Sequence, residues 1–188
     1  MKTKKRLLKI LTLSFLAFFL FFKFSYSYDN QILENKKQDL IKALAGKLPL
    51  AQQPKALNLF LMINSKNEKL CQDYLNYLEN SQSFLNKILI KAKNDWGESN
   101  LSFTQIANLS RQTQEIIFET RNAIQTQKEK IYEIKIEKDY PIGFSFRKTI
   151  EDLRNDHLNL RENQLRKVAD NINLIFHIFK KEIQKAKQ

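Results

Sequence analysis

The residues able to do chemistry in this chain are few and poorly spaced for it. Its two histidines, His157 and His177, lie 20 residues apart. On a continuous helix that separates them by about 30 Å, at a rise of about 1.5 Å per residue, too far to share a metal ion. A di-iron bundle site needs inward Glu-x-x-His pairs, yet Arg154 and Leu174 stand three positions before the two histidines. There is no His-Glu-x-x-His zinc motif either, so both read as ordinary helix-face residues. Cys71 is the single cysteine and has no histidine near it in sequence. It falls on an apolar stripe between Leu70 and Tyr74, where a thiol is expected to be buried and inert. Glu115 and Glu119 stand one helical turn apart, flanked by Arg111 and Arg121, and read as two acids on a wet face. Gly46, Gly97 and Gly143 are too scattered for a phosphate-cradling loop. The expectation is a protein that is not an enzyme, with no catalytic, metal or cofactor site.

The start of the chain is more informative. Lys2, Lys4, Lys5, Arg6 and Lys9 make a basic beginning, 13 uncharged residues follow from Ile10 to Phe22, and Ser25-Tyr26-Ser27 places small residues at the −3 and −1 positions of a cleavage site. That is the layout of a secretory signal peptide; the core is too short for the ~20 residues a membrane-spanning helix needs. Residues 1–27 are therefore read as a signal and 28–188 as one domain. Cleavage is expected, and no cysteine near its site could carry a lipid. Six of the 32 Lys and Arg lie in the signal while all 20 acidic residues follow it, so net +12 becomes +6 in the mature part. That balance does not call for a nucleic acid. One thiol cannot build a disulfide framework, so a hydrophobic core must hold the domain.

Three Gly and three Pro gather at three places, Gly46/Pro49/Pro54, Gly97 and Pro141/Gly143. Between them apolar residues recur in helical steps of three and four. The pattern predicts five helices, two short and three long, in an elongated antiparallel bundle. The first is capped by Asp29 and ends at Gly46, and the second starts near Pro54. A Ser65…Glu68 capping box opens the third. The fourth starts at a Ser102…Gln105 box with Leu101 stapled onto Ile106, its stripe diluted by Thr113, Thr120 and Gln127. The fifth, of about 40 residues, is capped by Ser145. Residues Ile131–Ile136 alternate partly with period two, but a lone strand has no partner, so they are kept helical.

Two aromatic turns stand out. Trp96 lies in the loop after the third helix, either plugging the bundle end or anchoring a partner, and the plug is preferred. The apolar turn at Tyr140, Phe144 and Phe146 either folds over a bundle end or is a sticky patch. These four are the candidate protein-binding residues. The lysines Lys180, Lys181, Lys185 and Lys187 read as a solvated helix end.

The basic, Phe-rich leader from Lys2 to Ser27, followed by a Lys/Asn/Ile/Leu-rich helical chain over residues 28–188, resembles the exported and outer-surface proteins of Lyme-disease spirochaetes. The likeness is greatest to their plasmid-encoded EppA/BapA type, which carries a signal without a lipid-attachment cysteine. The resemblance implies a secreted or surface-associated antigen made during infection, with no catalytic residue to carry over. The leading expectation is an exported helical protein that binds a host or envelope protein. The alternative is a periplasmic structural or assembly factor, held at the membrane if the leader is not removed. A further reading lays the basic end of the last helix on anionic lipid.

Overall fold

The computed structural model describes residues 31–136 and 141–185. The leader, the Asp29 cap and Tyr140 lie outside them. The described chain is all-α, with helices α1 (31–45), α2 (Gln53–Trp96), α3 (Leu101–Lys128), α4 (Ile142–Leu160) and α5 (Arg166–Lys185). No described helix is long and apolar enough to cross a membrane.

The backbone of the architecture is α2. Its 44 residues extend about 66 Å. The expected break at Ser65 is absent, and the second and third predicted helices are one. The reason is visible in the inward positions: Phe60, Asn64, Asn67, Cys71, Tyr74, Leu78, Ser81, Leu85, Ile88 and Ala92 follow steps of four and three without a slip, nine of them buried. A stripe in heptad register keeps one face against its neighbours over the whole length. Ser65 and Glu68 are merely exposed helical residues beside it. Pro54 sits in the first turn, where its missing N–H costs nothing. Gly97 closes the far end at φ 77°, a left-handed value suited to glycine, with its N–H on Lys93 O.

Four residues later α3 folds back. Its cap is Asn100, whose Oδ1 accepts from Ser102 N at 2.8 Å and Phe103 N at 3.2 Å. That replaces the expected Ser102 box, and Leu101, 84% exposed, staples nothing. Ile106, Ser110, Thr113, Ile117, Thr120 and Ile124 again keep heptad steps, all buried. Thr113 Oγ1 returns its proton to Leu109 O at 2.7 Å, but the hydroxyls of Ser110 and Thr120 are buried without a partner. An unpaired buried hydroxyl is destabilising. Thr120→Val, which keeps the shape, is expected to stabilise the protein by about 1 kcal/mol. The urea midpoint should rise at unchanged slope; a fall would mean that the hydroxyl is bonded.

The last helix begins at Ile142, after Pro141, a turn earlier than the predicted Ser145 cap. Ser145 is inside it and buried, its carbonyl accepting Thr149 Oγ1 at 3.0 Å. The α4 and α5 stretches join through a π-helical segment, Arg161–Leu165. Inward residues step by five between Leu160 and Leu165, then by three to Val168. The wider π turn takes up the extra residue and keeps the stripe inward.

Two apolar cores result. The lower one joins α2, α3 and α5 through Leu78, Leu85, Ile117, Val168 and Ile175; the upper one joins α1, the first turns of α2, and α4 through Leu44, Phe60, Phe146 and Leu153. Between α3 and α4, residues 130–136 are not helical. Tyr132 and Ile134 face the upper core while Glu133 and Lys135 face water, the period-two pattern of an extended chain.

Candidate functional site

What lets a single extended segment exist in a helical protein is a side chain that takes the place of a neighbouring strand. Asn64 Oδ1 accepts from Tyr132 N at 2.8 Å, and Asn64 Nδ2 donates to Tyr132 O at 3.3 Å. Both backbone groups of one residue are paired by one amide. The one Thr149 Oγ1 proton is shared between Ser145 O and, at 3.2 Å, Glu133 O. The objection that a lone strand has no partner is met by Asn64, buried on the α2 stripe.

One heptad step on, Asn67 organises a polar layer at the waist between the two cores. Its Nδ2 donates to Gln127 O at 2.9 Å, which also accepts from Lys130 N at 3.2 Å, and to Lys130 O at 3.1 Å, just past the end of α3. Its Oδ1 accepts from Gln127 Nε2 at 2.9 Å and lies 2.8 Å from His157 Nε2. Because Oδ1 only accepts, His157 carries its proton on Nε2. The Cys71 Sγ–H points to the same oxygen at 3.8 Å. From Gln127 the chain continues to Tyr132 Oη at 2.6 Å, and from there the phenol donates to Asp156 Oδ2 at 2.5 Å. Asp156 also takes Lys130 Nζ as an ion pair.

The titrations follow from this geometry. Burial pushes the Cys71 thiol up to about 11, so it stays protonated. Burial, helped by the Asp156 hydrogen bond, raises Tyr132. Burial also pushes Asp156 up, but the hydrogen bonds from Lys130 and Tyr132 outweigh it and the net shift is down. His157 is lowered, chiefly by burial, and is held neutral. With its folded pKa below the ordinary histidine value of 6.5, the unfolded chain binds the extra proton first. The stability this residue supports is complete above that pH and is lost as the pH falls below it. Unfolding free energy should therefore decline from about pH 6.5 toward pH 5, ahead of the carboxylate loss near pH 4. His157→Gln, whose amide can still donate to Asn67, should flatten the first slope. An unchanged slope in that variant would assign it elsewhere.

The sequence-predicted residues are not brought together. Trp96 is half-buried against the lower core, its ring 5.4 Å from that of Phe179, which is the plug arrangement. Phe146 is a member of the upper core. Phe144, two residues earlier on α4, is about half exposed. Thirty-six residues of α2 separate Phe60, in Phe146's core, from Trp96, about 54 Å along the helix. Glu115, Glu119 and His177 are exposed. Among the described residues there is no group of three or more side chains able to hold a metal.

The feature missed in the sequence lies on the open side of the bundle. Both α2 and α5 pack on α3 more closely than on each other, so a groove runs along their seam and up between α2 and α4. Its two hollows, of about 430 and about 440 Å³, share Tyr74 and Arg161. Tyr77, Phe84 and Phe176 stand along it partly exposed, with the Phe84 and Phe176 rings 6.1 Å apart. No protein-family model matches the chain, and neither a curated protein nor a solved structure is similar to it.

Proposed function

We propose that this is an exported, non-catalytic helical protein that acts by binding another protein, outside the cell or at its surface. The observation that carries the reading is the open apolar seam, whose aromatic side chains Tyr77, Phe84 and Phe176 stay partly exposed although the same helices bury a continuous core elsewhere. Large exposed apolar residues gathered in a line are the ordinary mark of an interaction surface. The side chains with nucleophile or base chemistry support the same reading. Cys71 is fully buried and protonated, and His157 and Cys71 both face one amide oxygen, so neither addresses the other. The basic leader supplies the export half of the proposal.

The test has two arms. N-terminal sequencing of the native protein from fractionated cells is expected to start at Tyr28, and intact cells treated with protease should lose it. Recovery from the cytosol with Met1 attached removes the export reading. The purified protein, immobilised and exposed to serum, matrix and envelope proteins, is expected to retain a saturable partner. Failure across all three sources removes the binding reading.

A further inference from the structure

The seam has a periodicity that the core stripes do not require. On α2, Leu70, Tyr77 and Phe84 recur every seven residues along one side of the buried stripe. On the facing helix Ala169 and Phe176 do the same. Tyr77 and Ala169 line one hollow, Leu70 and Leu158 the other, and Phe84 meets Phe176 ring to ring. In helical bundles these flanking heptad positions are charged when they face water. Here they are apolar on both helices. Two parallel helices that each carry an apolar flank column make a cradle for a further helix, completing a four-helix cross-section.

Charge selects the occupant. The upper hollow is rimmed by Lys66, Arg154 and Arg161, and Arg166 borders the lower one. Arg161 and Arg166 both reach Glu162, whereas Lys66 and Arg154 have no carboxylate within ion-pair distance among the described residues. The rim is thus net cationic. A second copy of this chain, itself net positive, would bring like charge to it.

We propose that the seam receives a helix of a partner protein, one with an apolar heptad stripe and acidic flanks where it crosses Lys66, Arg154 and Arg161. This rests on the partner-binding reading above and gives that partner its chemistry. The apolar columns supply the contact; the cations set orientation and exclude basic helices.

The probe is a synthetic helix of about three heptads, with Leu at the a and d positions and Glu on the flanks, titrated by calorimetry into the purified protein at low salt. Saturable one-to-one binding is expected, weakened about tenfold or more by Lys66→Glu with Arg154→Glu and by a Lys-flanked version of the peptide. Tyr77→Ser with Phe84→Ser, at positions exposed enough to leave folding intact, should abolish it. Equal binding of the Glu and Lys peptides overturns the proposal. So does a concentration-dependent dimer that the Tyr77/Phe84 variant loses, since the occupant is then a second copy. Displacement of the peptide by dodecanoate at equal strength also overturns it, in favour of a lipid carboxylate. If a captured natural partner binds that variant as well as the parent, the seam is overturned while partner binding stands.

Discussion

Asn67→Ala is expected to destabilise the protein by about 4 kcal/mol, at the upper end of what single substitutions do. The magnitude follows from what the amide holds. Its two N–H donors satisfy the carbonyl of Lys130 and share that of Gln127 with Lys130 N, and its oxygen takes Gln127 Nε2 and His157 Nε2, so three groups lose their partner. All of these lie at the junction of the cores, and each group orphaned in a buried site costs about 1–3 kcal/mol, less whatever entering water recovers. Asn67→Leu should be no better. Leucine suits a heptad position, but it leaves the same partners unpaired. Equilibrium urea unfolding followed by circular dichroism measures both. A loss below about 1 kcal/mol in Asn67→Ala would mean that the waist is already hydrated.

The position of this residue explains which parts of the architecture can be read from the sequence. The lower core is legible because its stripes are apolar and unbroken: Leu78, Leu85 and Ile88 on α2, Ile106, Ile117 and Ile124 on α3. The plug role preferred for Trp96 is legible for the same reason, since a lone indole beside a turn has the bundle end to cover. At the waist the same inward positions hold Asn64 and Asn67. Polar residues on the stripe look like a stripe that has ended, and Ser65…Glu68 then offers itself as a helix start. The signal that resolves the ambiguity is the step count, because Phe60, Asn64, Asn67, Cys71 never leaves the four-three register.

The extended segment was hidden by a different rule. A strand is judged by its backbone partners, and here the partner is a side chain 68 positions away. Only the period-two burial of Tyr132 and Ile134 hints at it. The π turn leaves a fainter mark, the five-residue step from Leu160 to Leu165. The seam is the hardest to see, because Leu70, Tyr77 and Phe84 lie next to the core stripe and merge with it in any hydrophobicity pattern. Only the looser packing of α2 on α5 separates them.

The waist also has a consequence for how the cores are joined. Buried polar layers in coiled coils fix register at some expense of stability. Asn67 bonds to atoms of residues 127 and 130 and contacts His157 of α4, so sliding any one of these elements by a turn breaks the whole set. The apolar heptads alone would tolerate a slide of two turns, since seven residues along α2 replace Leu78 by the equally buried Leu85. The layer is therefore the part of the molecule that specifies one alignment of α2, α3 and α4.

Tyr132 is the pin that couples this layer to the upper core, and Tyr132→Ala is expected to cost about 3–5 kcal/mol, the range for deleting a buried aromatic ring. The ring is 3% exposed and belongs to the upper core, while its hydroxyl sits between Gln127 and Asp156. Tyr132→Phe separates the two contributions. It keeps the ring and removes the hydroxyl, leaving a Gln127 proton unpaired and Asp156 with Lys130 alone, for an expected loss of about 1–2 kcal/mol. Hydrogen exchange gives the sharper readout, because the Tyr132 amide is bonded only to the Asn64 side chain in a segment without a helical ladder. In Tyr132→Phe that amide should stay protected, since its bond does not involve the hydroxyl. In Tyr132→Ala it should exchange faster than the amides of α2 on either side of Asn64, as the segment lifts from the upper core before the helices separate. Equal slowing or equal loss of protection at both places would mean that the segment and α2 open only together, and that the upper core, not the tyrosine, holds residues 130–136 in place.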